Sequence, residues 1–274
     1  MPSTRVTLAL AALLATSLGG SACGAVTGEA SGGEASGDEG SESASDSDSD
    51  TNMGVDTDDT TDPEPAPRRC VAPPGLGAPQ TIAEALALLG ALPEPVDVAC
   101  VVESLDRPLT IQAITSKFSA QPANDPKSPR IFLFLGGLTL SIVLDGPGQG
   151  LLEFGERVGE TESLKGELIM PVALPIPEHK PFEHLRYDEV LTTCGICHRG
   201  ERPSPTIDHP NAIISRALRP SDELEVTIDD LLVAQASCDV GAEATRCALL
   251  DALLSHGPVE EGAFPATYST IYDP

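Results

Sequence analysis

From Cys70 onward apolar residues recur at regular intervals, and the interval changes along the chain. It is helical at first. Thr81-Ile82-Ala83-Glu84 has the form of a capping box, with Thr81 as N-cap and Glu84 at the third helical position. Ile82, Leu86 and Leu89 then share one helix face, and Gly90 and Pro93 mark the end. Further on the interval falls to two. Leu109 to Ser116 alternates loosely, Ile131 to Leu135 is a short apolar run, and Gly136-Gly137 supplies a two-residue turn. Leu138, Leu140, Ile142 and Leu144 alternate with Thr139, Ser141, Val143 and Asp145, the pattern of a half-buried strand. Leu151 to Val158 and Leu164 to Val172 predict two more strands. After Pro171, Pro175, Pro177 and Pro181 the pattern turns to helix and loop. Helices are predicted over 182–191, 211–218, 231–237 and 242–255, the last stopped by His256-Gly257-Pro258. The fold class is therefore α+β: an antiparallel β meander or sandwich over about 100–175, then a small helical module over about 182–257.

The first 67 residues show no such periodicity. Val6 to Leu18 is an apolar run behind Arg5, followed by Gly19-Gly20-Ser21-Ala22, which reads as a signal peptide over 1–22. The small residues before Cys23 resemble a bacterial lipobox, in which the Cys carries lipid and becomes the new N-terminus. Gly24 follows that Cys, and by the same resemblance the anchor leans toward the outer membrane. From Glu29 to Glu64 there are 13 acids and no Lys or Arg. Such a one-signed, weakly hydrophobic stretch predicts a disordered linker over 23–67. It supplies half of the formal charge of −26. The remainder of the chain is still acidic, which argues against nucleic acid as a partner. The predicted organisation is a signal peptide, this lipid-anchored linker, a capped helix with a β-rich domain over 68–180, and a C-terminal module over 181–274.

Chemistry concentrates in Cys194-Gly195-Ile196-Cys197-His198. Of the seven cysteines, Cys23 is assigned to lipid and Cys194 and Cys197 to this stretch. Four remain, enough for two disulfides. Proximity favours Cys70–Cys100 and Cys238–Cys247, although four cysteines allow three pairings. The carboxylates of the β region (Glu153, Glu156, Glu160, Glu162 and Glu167) read as the polar face of exposed strands. No Ser-His-Asp pattern, phosphate-binding Gly loop or H-E-x-x-H occurs there.

The spacing C-x-x-C-H resembles the haem-attachment motif of c-type cytochromes. Two thiols reach two vinyl groups on one porphyrin edge, and the next residue brings an imidazole under the iron. The resemblance is limited to this motif, the signal and the linker. It implies thioethers at Cys194 and Cys197, a haem c cofactor and His198 as proximal ligand. No Met follows the motif, so the distal candidate is His209, with Asp208 beside it. Arg199 and Arg202 suit haem propionates. Two other readings stand beside it. Cys194 and Cys197 form a third disulfide, or Cys194, Cys197, His198 and His209 hold zinc. The corresponding functions are one-electron transfer with a basic redox partner, or a non-redox, disulfide-stapled envelope binding or structural lipoprotein. An enzyme, such as a haem peroxidase, is the less favoured class, because it needs an open iron site and a distal acid–base pair.

Overall fold

The computed structural model describes residues 67–116, 121–189 and 191–273. The expected signal peptide, Cys23 and the acidic linker up to residue 66 lie outside the described residues. The described chain is α+β. In order it forms helices α1 (Ile82–Ala91) and α2 (Val98–Ser104), then strands β1 (Leu109–Ile114), β2 (Arg130–Leu135), β3 (Leu138–Val143), β4 (Leu151–Arg157) and β5 (Glu162–Ile169). Short strands β6 (Arg202–Pro203), β7 (Ile213–Arg216) and β8 (Glu225–Val226), helices α3 (Ile228–Ala236) and α4 (Ala244–Leu254), and strand β9 (Val259–Glu261) follow.

One nine-stranded sheet results, ordered β6-β7-β5-β4-β3-β2-β1-β8, with β9 on β1. The five longer strands form a plain antiparallel meander. The Gly136-Gly137 turn closes the β2–β3 hairpin, with Leu135 opposite Leu138. A single sheet stands where a sandwich was an option. Strands from beyond the Pro-rich stretch complete it: β7 pairs with β5, and β8 and β9 share the other edge.

Period-two alternation sends one set of side chains to each face. Ile111, Ile131, Leu133, Leu140, Ile142, Leu152 and Leu168 are fully buried in one core with Leu88 and Leu89 of α1, Val101 and Val102 of α2, and Leu250 and Leu253 of α4. Each such side chain contributes about 1.5–3 kcal/mol relative to exposure. Thr81 caps α1 by accepting from the Glu84 N–H at 3.1 Å, and the first helical N–H, on Ile82, donates to the Glu156 carboxylate of β4 at 2.8 Å. Negative charge at a helix N-terminus is favourable, so this bond ties α1 to the sheet. At the C-terminal end of α4, Arg107 donates to the carbonyls of Leu253 and Ala252, both at 2.6 Å.

Among the described residues two of the expected helices are absent. In the described part of 182–191 the end of a 3-10 turn (Lys180–Phe182) is followed by Arg186, which bridges back to Thr192. Pro181 and the return bridge leave no run long enough for a helix to nucleate. Residues 211–218 contain β7 instead. Ile213 and Ile214 are β-branched, and the exposed edge of β5 offers them a hydrogen-bonding partner. Helices α3 and α4 fall where the sequence places the last two. Helix α2, with Asp97 as N-cap, is an addition.

Disulfides join Cys70 to Cys100 and Cys238 to Cys247. They are compatible with an exported protein in an oxidising compartment. No helix among the described residues is long and apolar enough to cross a membrane. The two bridges close loops of different length, with sequence separations of 30 and 9. Replacing Cys70 and Cys100 together by Ala is expected to lower the unfolding free energy by about 3–4 kcal/mol, and the Cys238/Cys247 double replacement by about 2–3 kcal/mol. Urea unfolding measures both, and a larger loss for the shorter loop would contradict the loop-entropy account.

Candidate functional site in a cleft on the open sheet face

The second face of the sheet carries the alternate residues, and they register in rows across the strands. One row runs Thr110, Phe134, Thr139, Gly155, Lys165. The next runs Gln112, Phe132, Ser141, Glu153, Glu167. Among the described residues no helix covers this face. Chain from the turns after Leu185, from Ala217-Leu218 and from Ala263 to Tyr268 walls it into a cleft of about 310 Å³. That is near the lower limit for small-molecule sites.

The cleft is aromatic at one end and charged at the other. Phe264 meets Phe132 and Phe134 edge to face, with centroids 4.9 and 5.0 Å away. Gly262 permits that approach, since a Cβ there would stand 2.5 Å from Thr110 Cγ2. From beside Phe132, whose ring its guanidinium covers at 4.8 Å, Arg130 reaches toward the charged end to pair with Glu153, both side chains less than one-fifth exposed, and donates to Ser141 Oγ at 2.6 Å. Glu167 faces Glu153 directly across β4 and β5. Burial and that like charge raise its carboxyl from 4.5 to about 7. Burial likewise lowers the Lys165 amine from 10.5 to about 8, against the opposing pull of Cys194 and Glu153.

The C-x-x-C-H stretch lies against the charged end. Cys194–Ile196 forms a 3-10 turn, and the N–H groups of Cys197 and His198 both donate to the Cys194 carbonyl, at 3.2 and 2.8 Å. Spacings of three and four in a helical turn bring side chains to one side. Cys194 and His198 line the cleft, while Cys197 does not. Neither Cys194 nor Cys197 is in a disulfide. Burial first, and then Glu153, push the Cys194 thiol up to about 12, so it stays protonated. Burial, reinforced by Lys165, holds the His198 imidazole well below its usual range, so it is neutral. Its Nδ1 lies 2.8 Å from the Arg216 carbonyl. A carbonyl only accepts, so Nδ1 carries the proton and Nε2 keeps its lone pair.

The turn is held by its neighbours. Thr192 donates through its N–H to Glu201 at 3.0 Å and through its hydroxyl to the same carboxylate. That carboxylate occupies the space where a Cβ on Gly195 would stand, 2.5 Å from the Glu201 carboxyl carbon. Gly195 is therefore the residue that lets the loop close. The Arg216 N–H, in turn, donates to the Arg199 carbonyl at 3.2 Å.

Other sequence candidates lie elsewhere. His209 stacks on His179 at 5.9 Å, accepts from the Asn211 N–H at 3.2 Å and does not line the cleft. Arg202, expected to serve propionates, pairs with Glu162 at 2.8 Å. Among the described residues no group of three or more His, Cys, Asp or Glu is gathered around one metal position, so the zinc quartet is not assembled. Glu153 and Glu167, read as ordinary exposed-strand polarity, line the cleft instead. With Arg130 and Lys165 they are the site residues that sequence reasoning missed. Their shared face was readable from alternation, but the chain that encloses them comes from far along the sequence. Comparison of the chain with protein-family models, curated proteins and solved structures finds no match.

Protonated Glu167 favours the folded state, and this contribution is complete below about 4.5 and lost as pH rises through about 7. Glu167→Gln is therefore expected to stabilise at pH 8 by on the order of 1 kcal/mol, allowing for partial solvent screening, and to change little at pH 4. Thermal unfolding at the two pH values tests this, and equal effects at both would refute the assignment. Gly195→Ala is expected to cost about 1–2 kcal/mol by displacing the Glu201 carboxylate. The added loss should vanish in a Glu201→Ala background, as a double-mutant cycle would read.

Proposed function

We propose that this protein is an envelope-anchored, c-type cytochrome-like electron carrier, with haem attached through Cys194 and Cys197 and His198 as proximal ligand. The observation that carries the reading is the Nδ1–H bond from His198 to the Arg216 carbonyl. Metal-binding histidines are commonly oriented and tautomerised in this way, with the other nitrogen presented to the metal. Here that nitrogen belongs to a neutral ring lining a cleft, one helical turn from Cys194 and next in sequence to Cys197, two cysteines that are not joined. Bound there, the porphyrin iron supplies a one-electron couple whose potential depends on burial and hydrogen bonding.

The residues of the chain have separable roles in this reading. Cys194 and Cys197 would hold the group through thioethers, formed by addition of S–H across a vinyl C=C, which would need no net oxidation. The protonated state of Cys194 suits that addition better than it suits zinc or thiolate redox chemistry, which need the ionised sulfur. Arg216 fixes the imidazole, and Glu201 fixes the turn. In this reading the cytochrome-like part is the C-x-x-C-H turn on the open face, while α3 and α4 pack in the core on the other side of the sheet. In the full precursor, Cys23 carries the membrane anchor at the outer membrane and the acidic linker spaces the folded part from it. An acidic surface suits a basic redox partner.

The test is a visible spectrum of protein purified from a host with cytochrome c maturation, before and after dithionite. The expected result is a covalently bound pigment whose bands sharpen on reduction, lost from Cys194→Ala/Cys197→Ala and spectrally altered in His198→Ala. A colourless product with Cys194 and Cys197 oxidised to each other would sink the proposal and leave the stapled, non-redox scaffold.

A further inference from the structure

Lys165 is the anomaly of the cleft. It projects from β5 onto the walled face, and among the described residues no hydrogen bond or ion pair reaches its Nζ. Glu153, which acts on it electrostatically, is engaged by Arg130. Glu167 is likewise without a hydrogen-bonding partner among the described residues. Lys165 thus presents to the cleft a half-buried amine that no described side chain pairs, and an anion placed there would gain a charge-assisted bond.

The floor of the cleft defines what carries that anion. In the row from Phe134 to Lys165 the two intervening positions are Thr139 and Gly155. A Cβ on Gly155 would approach only the Thr139 carbonyl oxygen, at 3.9 Å, so the floor there is low and flat. Three strand spacings separate β2 from β5, roughly 14 Å between backbones. On the β2 side stand Phe132, Phe134 and Phe264, with Arg130 over the Phe132 ring at 4.8 Å and the Tyr268 ring 6.2 Å from Phe264. A flat apolar body fits over the small residues and against the aromatic rings, and its charged end reaches Lys165.

We propose that the cleft binds a flat, largely apolar molecule bearing a carboxylate, with Lys165 as the residue that pairs with the carboxylate and Phe132, Phe134 and Phe264 as the wall that takes its body. The inference stands independently of haem attachment. Two sources supply this chemistry: a propionate of a porphyrin held at Cys194 and Cys197, or a free aromatic acid.

Protonated Glu167 adds a second donor to the carboxylate, and ionised Glu167 repels it. The charged and titratable groups that line the cleft with Lys165 are Arg130, Glu153, Arg157, Glu167, Cys194, His198 and Tyr268.

The experiment uses the full chain from a host with cytochrome c maturation, in wild-type, Lys165→Met and Lys165→Arg forms, each checked for folding by thermal unfolding. If the protein is pigmented, redox titration is the readout. Lys165→Met is expected to lower the midpoint potential, because a cation beside the propionate favours the added electron, and Lys165→Arg is expected to keep it. That result assigns the propionate as the source. If the protein is pale, calorimetric titration with 2-naphthoate and the neutral 2-naphthamide is the readout. Wild type is expected to prefer naphthoate, Lys165→Met to bind it roughly tenfold more weakly or worse, and Lys165→Arg to retain it. That result assigns a free acid and refutes the electron-carrier reading while keeping this one. A pigmented Lys165→Met protein with an unchanged potential overturns the inference. So does pale wild type that binds neither probe, or that binds both equally.

Discussion

A β-sheet presents two faces, and here the helices can cover only one. Alternation along β1 to β5 commits leucines and isoleucines to the helical side and threonines, aromatics and charged residues to the other. Once α1, α2, α3 and α4 close the apolar core, the second face must be finished by irregular chain. That constraint makes the cleft. A sandwich would have filled this face with a second sheet, and a lone exposed sheet would have left its charges in water. The intermediate arrangement, walls of turn and loop over a mixed surface, places ionisable groups where water is scarce but not absent.

Scarcity of water then sets the chemistry of the site. One physical cause, the cost of charge in a low-dielectric place, keeps His198 neutral, Cys194 protonated and Glu167 half-titrated near neutrality. The charged forms that persist need partners, and Arg130 with Glu153 supplies one such pair. The tautomer of His198 is decided separately, by a backbone carbonyl in β7. That carbonyl is presented because residues 213–216 extend along β5. Had they coiled as their sequence suggested, it would have pointed along a helix axis instead of across to His198. The failure of one sequence expectation therefore has the same physical origin as the feature on which the functional reading rests.

Distance along the chain separates what was legible from what was not. Helix α1, with its Thr81 cap, is a matter of residues three and four apart, and the β2–β3 hairpin is a matter of two glycines between alternating runs. These signals are complete within a dozen residues. The joined cysteines, Cys70 with Cys100 and Cys238 with Cys247, are the pairs that lie close in sequence. By contrast, Ile213-Ile214 became a strand because β5 had an unfilled edge, and Lys165 and Glu167 became enclosed because residues 185–198 and 263–268 cross their face. No local window contains both members of those contacts.

By itself, then, the sequence determined the alternating strands, the capped helices, the proximity of the two disulfide pairs and the grouping of two sulfurs and an imidazole in one short turn. Each follows from near-neighbour sterics, hydrogen-bond spacing or chain connectivity. Only the tertiary structure decided which sheet face is walled, which nitrogen of His198 carries the proton, and that Arg130, Glu153, Lys165 and Glu167 share one cleft with Cys194. Those outcomes depend on desolvation and on contacts between segments tens of residues apart, and both exist only once the core has closed.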